Sequence, residues 1–573
     1  MDSPNAAPHL PLELLCRIVG YTPRPSDLKL LCLVSRDFRD AATPALYRNV
    51  VLDEKTPRWP RLRLGRGLLS FANAGLAHVR ELTCQSSQQG YVKLLKNHKD
   101  ELQSIQMLLQ FLPRHQLAQI DFSTIPLDAV TIATLFAQQN MLQSLALGPI
   151  ATGLNQHLQL NVFGPNPFNR LRDLHLPSHL WSRSDLDAYS VIMNKAPQVS
   201  RLSVHSSHLV EVNRQLSQSV RADENLIFSK LFARDKGDLL QHRNNLRSLH
   251  LDRVDVSVGA HLLPQYFDLC KLHEFHLSAC TGWSSLLKVF TACFIESNYS
   301  LRSFCLDLGS ETKKDAVIEK FLSSFGGLET LRYSDRCFGY EPRESLLDLQ
   351  CLDGHLSSLK QLAIVPGGGR IDASPEVGLA DDFFEKISTR CTNLRQLGVI
   401  MPFTSTTGNH EDNKRYARSL LELFKLRNLR VLRIFNWPDT STLSTPTLSD
   451  HLLDQIADDG LAGELISDLD DQMEELRCSM VLQQIDIFVA ALLPPAFGEL
   501  QLTHDSPLVC FDGLGDNRVY DDAGLVISPE AACYVPVRQS DIFGRARLMA
   551  RRVSVMEAKY LEPENEILQW LAG

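Results

Sequence analysis

The side chains with the most chemical potential sit on a recurring six-residue pattern, apolar-x-x-apolar-x-apolar. Its third and fifth residues include Asp121, Asp173, His175, Arg201, His250, Glu274, His276, Arg332, Arg433 and Asp486. His250 and His276 hold the same place in neighbouring copies, so paired strands about 4.8 Å apart would set their rings side by side. Two imidazoles are half a zinc site, which wants a third and fourth ligand; Glu274 is one nearby carboxylate. The second residue is basic in seven copies: Arg80, Arg172, Arg247, Arg302, Lys360, Arg395 and Arg430. Such a row can recognise phosphate or acidic motifs by forked hydrogen bonds, or it can be solubilising charge paired with nearby acids. Bond-making chemistry has less support. The G-x-S-x-G, H-E-x-x-H, Walker A and strand-linked G-x-G-x-x-G motifs are all missing from the sequence. Pro366-Gly367-Gly368-Gly369-Arg370 comes nearest to a phosphate loop, but no Lys-Ser/Thr pair follows it, so it reads as a plain loop. The expectation is a chain that binds, with no catalytic residue, cofactor or metal. Arg201, His250, His276, Arg332 and Arg433 are its candidate contacts to a partner protein.

The pattern itself predicts the elements that would carry these groups. Copies begin at Val79, Leu117, Leu142, Leu171, Val199, Leu246, Leu272, Leu301, Leu328, Leu359, Leu394, Leu429 and Leu482. The commonest spacings are 25 to 31 residues, with longer gaps of 38, 47, 35, 35 and 53 that mark insertions or degenerate repeats. Helical periodicity lies between copies, at Asp128–Gln139, Trp283–Glu296, Lys313–Phe325, Asp381–Thr389 and Arg415–Leu426. LQSIQM at Leu102 imitates the pattern, but it falls inside the periodic run Val92–Leu112 and reads as helix. A short strand plus a helix at this period is the sequence mark of a leucine-rich-repeat solenoid. Fourth and sixth positions would point inward and stack into one core, and third and fifth would point out. An irregular α/β fold is the other way to read the same elements.

Composition sets the bounds. With 573 residues the chain exceeds one ordinary core, and a repeat array meets that by stacking neighbours in a line. It is 44% hydrophobic and 22% charged, which is globular rather than disordered. A net charge of -9 gives no case for wholesale nucleic-acid binding. The 13 cysteines are scattered with no C-x-x-C pair, unlike a zinc or disulfide framework, and are expected as reduced thiols. Asp2 and Pro4 interrupt any signal peptide. The longest apolar run, Ile487–Phe497, is too short for a bilayer and holds Pro494-Pro495. No membrane partner and a cytoplasmic or nuclear location are therefore expected.

The first fifty residues have their own grammar. Leu10-Pro11 opens a helix, with Leu14, Leu15 and Ile18 at helical spacing. Pro23 and Pro25 break the chain, and Ser26 or Asp27 caps a second helix bearing Leu28, Leu31 and Val34. Ser35 caps a third, with Phe38, Ala41 and Ala42, which Pro44 ends or bends. Three short helices bury too little surface to stand alone, so they dock on a partner or on the rest of the chain. L-P-x-E-L-L-x-x-I, D-L-x-x-L, L-V-S-R-x-F-R and P-x-L-Y-R, in this order, resemble the F-box in the form common among fungal proteins. Phe38 stands where many F-boxes have Trp. The resemblance implies binding to the Skp-type adaptor of an SCF (Skp–cullin–F-box) ubiquitin ligase, and through it to a cullin. By position it implies contact from Leu10 and Pro11, continued or supported by Leu14, Ile18, Leu28, Leu31, Val34 and Ser35. With the hexads, the whole resembles F-box/leucine-rich-repeat proteins, which recruit a substrate protein for ubiquitination.

The expected organisation is an F-box over residues 9–54, a repeat solenoid over 55–499 and a capping or tail segment over 500–573. The solenoid has insertions near 205–245, with a helix candidate at Asn225–Gln241, and near 436–480. The second insertion is strongly acidic and reads as a solvated face or as a dock for a basic partner. The last segment has no hexad. It holds Asp512-Gly513-Leu514-Gly515-Asp516 and a basic amphipathic stretch, Arg545–Lys559, and serves as a cap or as a substrate contact. A repeat scaffold without any ligase role is the competing functional expectation. Neither substrate identity nor any need for phosphorylation follows from the sequence.

Overall fold

Burial follows the hexad. In each of the twelve copies from Val79 to Leu429, the first, fourth and sixth residues are buried. Extended backbone sends alternate side chains to opposite faces, so the fourth and sixth residues share the covered side. Each fully buried Leu or Phe there contributes roughly 1.5–3 kcal/mol. The computed structural model describes chiefly residues 10–53, 73–85, 105–123, 127–148, 168–178, 183–206, 245–296, 301–308, 316–335, 347–365, 382–401, 422–435, 508–511, 532–540 and 546–553. The copy at Leu482, Asp486, the acidic 436–480 stretch, all of Asn225–Gln241 but Leu231 and Phe232, the Gly367–Gly369 run and residues 512–516 lie outside them. The chain is α/β and divides into two compact units, Met1–Tyr299 and Ser300–Gly573.

The first unit opens with α1 (Leu12–Gly20), α2 (Pro25–Val34) and α3 (Arg36–Arg48). Their shared core is Leu15, Val19, Leu28, Ala41 and Ala42, edged by Leu31, Cys32, Phe38 and Leu46. Ser35 caps α3 as expected, its Oγ accepting from the Phe38 N–H at 3.1 Å. Neither Ser26 nor Asp27 caps α2. Pro25 takes the first helical position, where its missing N–H costs nothing, and the helix therefore starts earlier. Pro44 does not end α3, which continues to Arg48.

α3 passes directly into β1 (Asn49–Asp53), which lies before the first of the hexad copies, at Val79. Seven strands follow: β2 (Glu81–Gln85), β3 (Gln119–Phe122), β4 (Ser144–Leu147), β5 (Asp173–Ser178), β6 (Arg201–Ser206), β7 (Ser248–Asp252) and β8 (Glu274–Ser278). Each pairs in parallel with the next in sequence, third hexad residue opposite third: Glu81 with Gln119, Gln119 with Ser144, and so on to Glu274. This sequential order is that of a solenoid. LQSIQM is no strand: residues 105–111 are helical and β2 pairs straight to β3. Helices Ala129–Gln138 and Trp283–Glu296 form where their periodicity predicts. The long gap after β6 is an insertion, since β6 and β7 are direct neighbours.

The second unit repeats the scheme with β9 (Ser303–Leu308), β10 (Thr330–Asp335), β11 (Gln361–Val365), β12 (Gln396–Val399) and β13 (Val431–Ile434). Helices Val317–Leu322 and Phe383–Arg390 lie between strands. Beside β13 stands β14 (Leu508–Phe511), parallel to it, so Leu508–Phe511 continues the sheet. A small hairpin, β15 (Val519–Tyr520) and β16 (Val526–Ile527), precedes β17 (Ala532–Ser540) and β18 (Ala546–Val553). β17 pairs antiparallel with β14, and β18 with β17. The basic stretch is thus largely a strand, and a charged strand at a margin discourages further edge pairing. Cys533, Val553 and Ala558 pack on Val431, an outward hexad position, so the C-terminal part covers the strand face at β13.

His355 ties the helical side of this unit together. Its ring is wholly buried, Nε2 lies 2.8 Å from the Leu322 carbonyl, and Nδ1 accepts from the Leu328 N–H at 3.2 Å. That arrangement needs the neutral ring, and burial holds its pKa below the ordinary histidine value against the Leu322 hydrogen bond. The unfolded chain therefore takes up this proton first. Stability is full above the unfolded pKa of about 6.5 and declines as pH falls through it towards the folded value. His355→Leu removes two buried partners and is expected to cost about 2 kcal/mol at pH 8 by urea unfolding. Its melting point should also fall less than the wild type's between pH 8 and 5.5. An equal acid decline in both would show that His355 is not the titrating group.

Candidate functional site

Two surfaces in the first unit gather the candidate residues. One lies on α1 and α2. Leu15 and Val19 face the small core, and this turns Leu14 and Ile18 outward at 44% and 47% exposure. Leu10, Leu12, Tyr21, Leu30, Leu33 and Val34 are exposed as well. Among the described residues, eight of thirteen exposed large hydrophobics thus fall between Leu10 and Val34. Isolated exposed apolar residues are ordinary, but a cluster of this kind marks a surface built to be covered. Of the eight residues expected at an adaptor contact, Leu10, Pro11, Leu14, Ile18, Val34 and Ser35 are exposed, while Leu28 is buried and Leu31 half-buried against the core. Leu12, Tyr21, Leu30 and Leu33 join the exposed set without having been singled out. Their signal was in the sequence: α1 and α2 carry more apolar residues than one helical stripe needs.

The other surface is the outward face of β5–β8, where register sets three rows. Asp173, Arg201, Ser248 and Glu274 form the first, and Arg201 pairs with Asp173 at 3.7 Å. His175, Ser203, His250 and His276 form the second. The His250 and His276 rings stack at 4.0 Å with 7° between planes, as their equal repeat position predicts. Burial pushes the His250 pKa down against the pull of Glu274, and His175 is lowered for the same reason against Asp121. The third row carries an ion pair between His205 and Asp252. Burial works to raise the Asp252 carboxyl, but its hydrogen bond and charge pairing with His205 prevail and hold it below the ordinary carboxylate value. Among the described residues no three His, Cys, Asp or Glu side chains are arranged to hold a metal ion. The grid offers donors and acceptors to a polar partner.

The remaining two candidates sit in the second unit. Arg332 is half-buried on β10. Arg433 departs from expectation: it holds an outward position yet is only 6% exposed, its guanidinium 4.9 Å from the Phe435 ring centroid. Gly398, opposite Arg433, leaves the hollow that admits this ring, since a Cβ there would come within 2.8 Å of Phe435 Cζ. Alternation gives direction but not cover, so Arg433 is a packed residue and no open contact. Two buried thiols are likewise packing groups: burial pushes Cys280 and Cys391 up to about 12. Among the described residues no helix is long and apolar enough to cross a membrane.

The geometry of the N-terminal helices agrees with a family: the profile described as F-box-like matches residues 7–53. The chain therefore carries an F-box-like domain, followed by solenoid-like parallel strands. Comparison with curated proteins finds no match.

Proposed function

We propose that this chain is the substrate-recognition subunit of an SCF-type ubiquitin ligase, an F-box/leucine-rich-repeat protein of the fungal kind. The observation that carries the reading is the coincidence of the F-box-like match at residues 7–53 with the exposed apolar cluster on α1 and α2. In this reading Leu10, Pro11, Leu14, Ile18 and Val34 meet a Skp-type adaptor, which brings a cullin. Leu28 and Leu31 hold the helices that present them, and Ser35 fixes the start of α3. The strand face, with Arg201, His250 and His276, holds a substrate protein in the cytoplasm or nucleus. Ubiquitin transfer takes place on other subunits and asks no chemistry of this chain. Tethering does the work by raising the effective concentration of substrate lysines near the conjugating enzyme. Neither nucleic acid nor membrane enters the scheme.

A repeat scaffold without ligase function is the second reading, and the unbroken passage of α3 into β1 favours it, because it makes the helices an end cap of the sheet. Binding of the purified chain to a Skp-type adaptor separates the two. Tight binding that Leu10→Ala/Pro11→Ala weakens supports the receptor. A well-folded wild type that does not bind leaves the scaffold.

A further inference from the structure

The sheet of the second unit changes direction at one strand. β14 lies parallel to β13 on one side and antiparallel to β17 on the other. β17 and β18 oppose each other along eight residue pairs, from Cys533 with Val553 to Ser540 with Ala546. β14 and β17 oppose each other along three: Val509 with Tyr534, Cys510 with Cys533 and Phe511 with Ala532. The hairpin that covers the strand face at β13 is therefore joined to the sheet by a short seam, and two cysteines hold the middle of it. Directly opposed residues of an antiparallel pair have Cα atoms about 4.5 or 5.5 Å apart, according to their hydrogen bonding. Both values lie within the roughly 4.4–6.8 Å that a disulfide spans. Opposed residues also share a face of the sheet, and two observations place this pair on the outward one. Cys510 stands opposite Arg433, the fifth residue of its hexad, and Cys533 packs with Val431, the third. Among the described residues no other two cysteines hold opposed strand positions.

We infer that Cys510 and Cys533 form a redox-modification site, closed to a disulfide by a peroxide and reopened by a thiol. Arg433 completes the row, since a permanent cation at the neighbouring strand position favours the thiolate, which is the attacking form. The Cys510 thiolate attacks one peroxide oxygen. The S–O bond forms, the O–O bond breaks, and the hydroxide released takes up the proton that Cys510 gave up and leaves as water. The Cys533 sulfur then attacks the sulfenic sulfur. The S–S bond forms, the S–O bond breaks, and the second oxygen leaves as water with the Cys533 proton. Two thiols and one peroxide thus give one disulfide and two waters. Cys533 is wholly buried, which suits the resolving thiol, screened from the oxidant and set across the seam from its partner. Thiol–disulfide exchange reverses the step, which is how such bonds act in a reducing compartment. Closing the bond stitches the seam at its centre and holds the β17–β18 hairpin over the β13 end of the strand face. The inference is independent of adaptor binding.

The test uses the full chain, first reduced and then treated with hydrogen peroxide. Remaining thiols are alkylated, and the chain is digested without reductant. Mass spectrometry should find a peptide that joins Cys510 to Cys533, absent before peroxide and lost again on treatment with dithiothreitol. In urea the same oxidation should scatter over the 13 cysteines, because register no longer pairs these two. Cys510→Ser should abolish the linkage. A thermal melt verifies that variant, and Cys533→Ala replaces it if the melt is lost. Limited proteolysis reads the hold on the hairpin. Tryptic cleavage within β17 and β18 should be at least about threefold slower in the oxidised wild type than in the reduced, and peroxide should not change it in Cys510→Ser. Alkylation of both cysteines after peroxide, overoxidation of Cys510 without linkage, or a disulfide at Cys533 that survives in Cys510→Ser overturns the site. Equal cleavage of the oxidised and reduced chains overturns its hold on the hairpin.

Discussion

Leu14→Asp/Ile18→Asp is expected to reduce affinity for a Skp-type adaptor by at least 100-fold while leaving the melting curve nearly in place. The two side chains are one helical turn apart and 44% and 47% exposed, so neither holds the three-helix core. Their replacement costs the fold only helix propensity, up to about 0.7 kcal/mol each. At an interface the same change removes two apolar anchors of roughly 1.5–3 kcal/mol each and leaves two carboxylates to be desolvated. A loss of 100-fold is about 2.7 kcal/mol, well inside that sum. Leu15→Ala is the contrasting variant. Leu15 is 3% exposed, and its truncation opens a cavity worth about 2–5 kcal/mol, so it should lower the melting point and weaken binding only through unfolding. Calorimetric titration and a thermal melt on each variant separate the effects. Adaptor affinity within threefold of wild type in the double aspartate would mean that the cluster on α1 is not the docking face.

This division of α1 marks where the sequence stops being legible. Leu14, Leu15 and Ile18 stand at helical spacing, and spacing alone groups them on one face. The structure splits them, Leu15 with Val19 inside and Leu14 with Ile18 outside, because the helix is apolar on two sides and α3 covers only one. The strands were more readable. Hexad residues at positions one, four and six are all buried in twelve copies, and even the stacking of His250 on His276 follows from equal repeat position. β14 escaped because its leading position is Ser506 and not an apolar residue, while β1 escaped because its hexad, Tyr47, Val50 and Leu52, begins inside α3. The neighbour of β13 could not be found by counting, since pairing across a long insertion is decided by contact and not by distance along the chain. Arg433 misled for a related reason: what covers it, Phe435 over the hollow at Gly398, is a packing event that alternation does not encode.

Gly282→Ala should destabilise the first unit by roughly 2–5 kcal/mol, far more than a methyl group ordinarily costs. Gly282 precedes helix Trp283–Glu296 with φ +70°, a left-handed conformation that costs an L side chain about 1–2 kcal/mol. The larger part is steric. A Cβ there would stand 2.5 Å from the Cα of Ser257, which is main chain and has no rotamer to escape into. The two segments cannot part either. Asp255 and Thr281 form a parallel bridge, the Val256 N–H donates to the Thr281 carbonyl at 2.9 Å, and the Arg253 N–H donates to the Ser278 carbonyl at 2.7 Å. Relief must break these bonds or tilt the helix, and overpacking of that kind costs about 1–3 kcal/mol. Gly327→Ala calibrates the argument, for Gly327 has φ +85° with open space where its Cβ would go, and should pay the conformational cost alone. Urea unfolding of both variants decides between the two contributions. Equal losses would remove the steric term. A larger loss at Gly282 would show that the link from β7 to β8, which carries the His250–His276 stack, is fixed by a backbone contact only glycine permits.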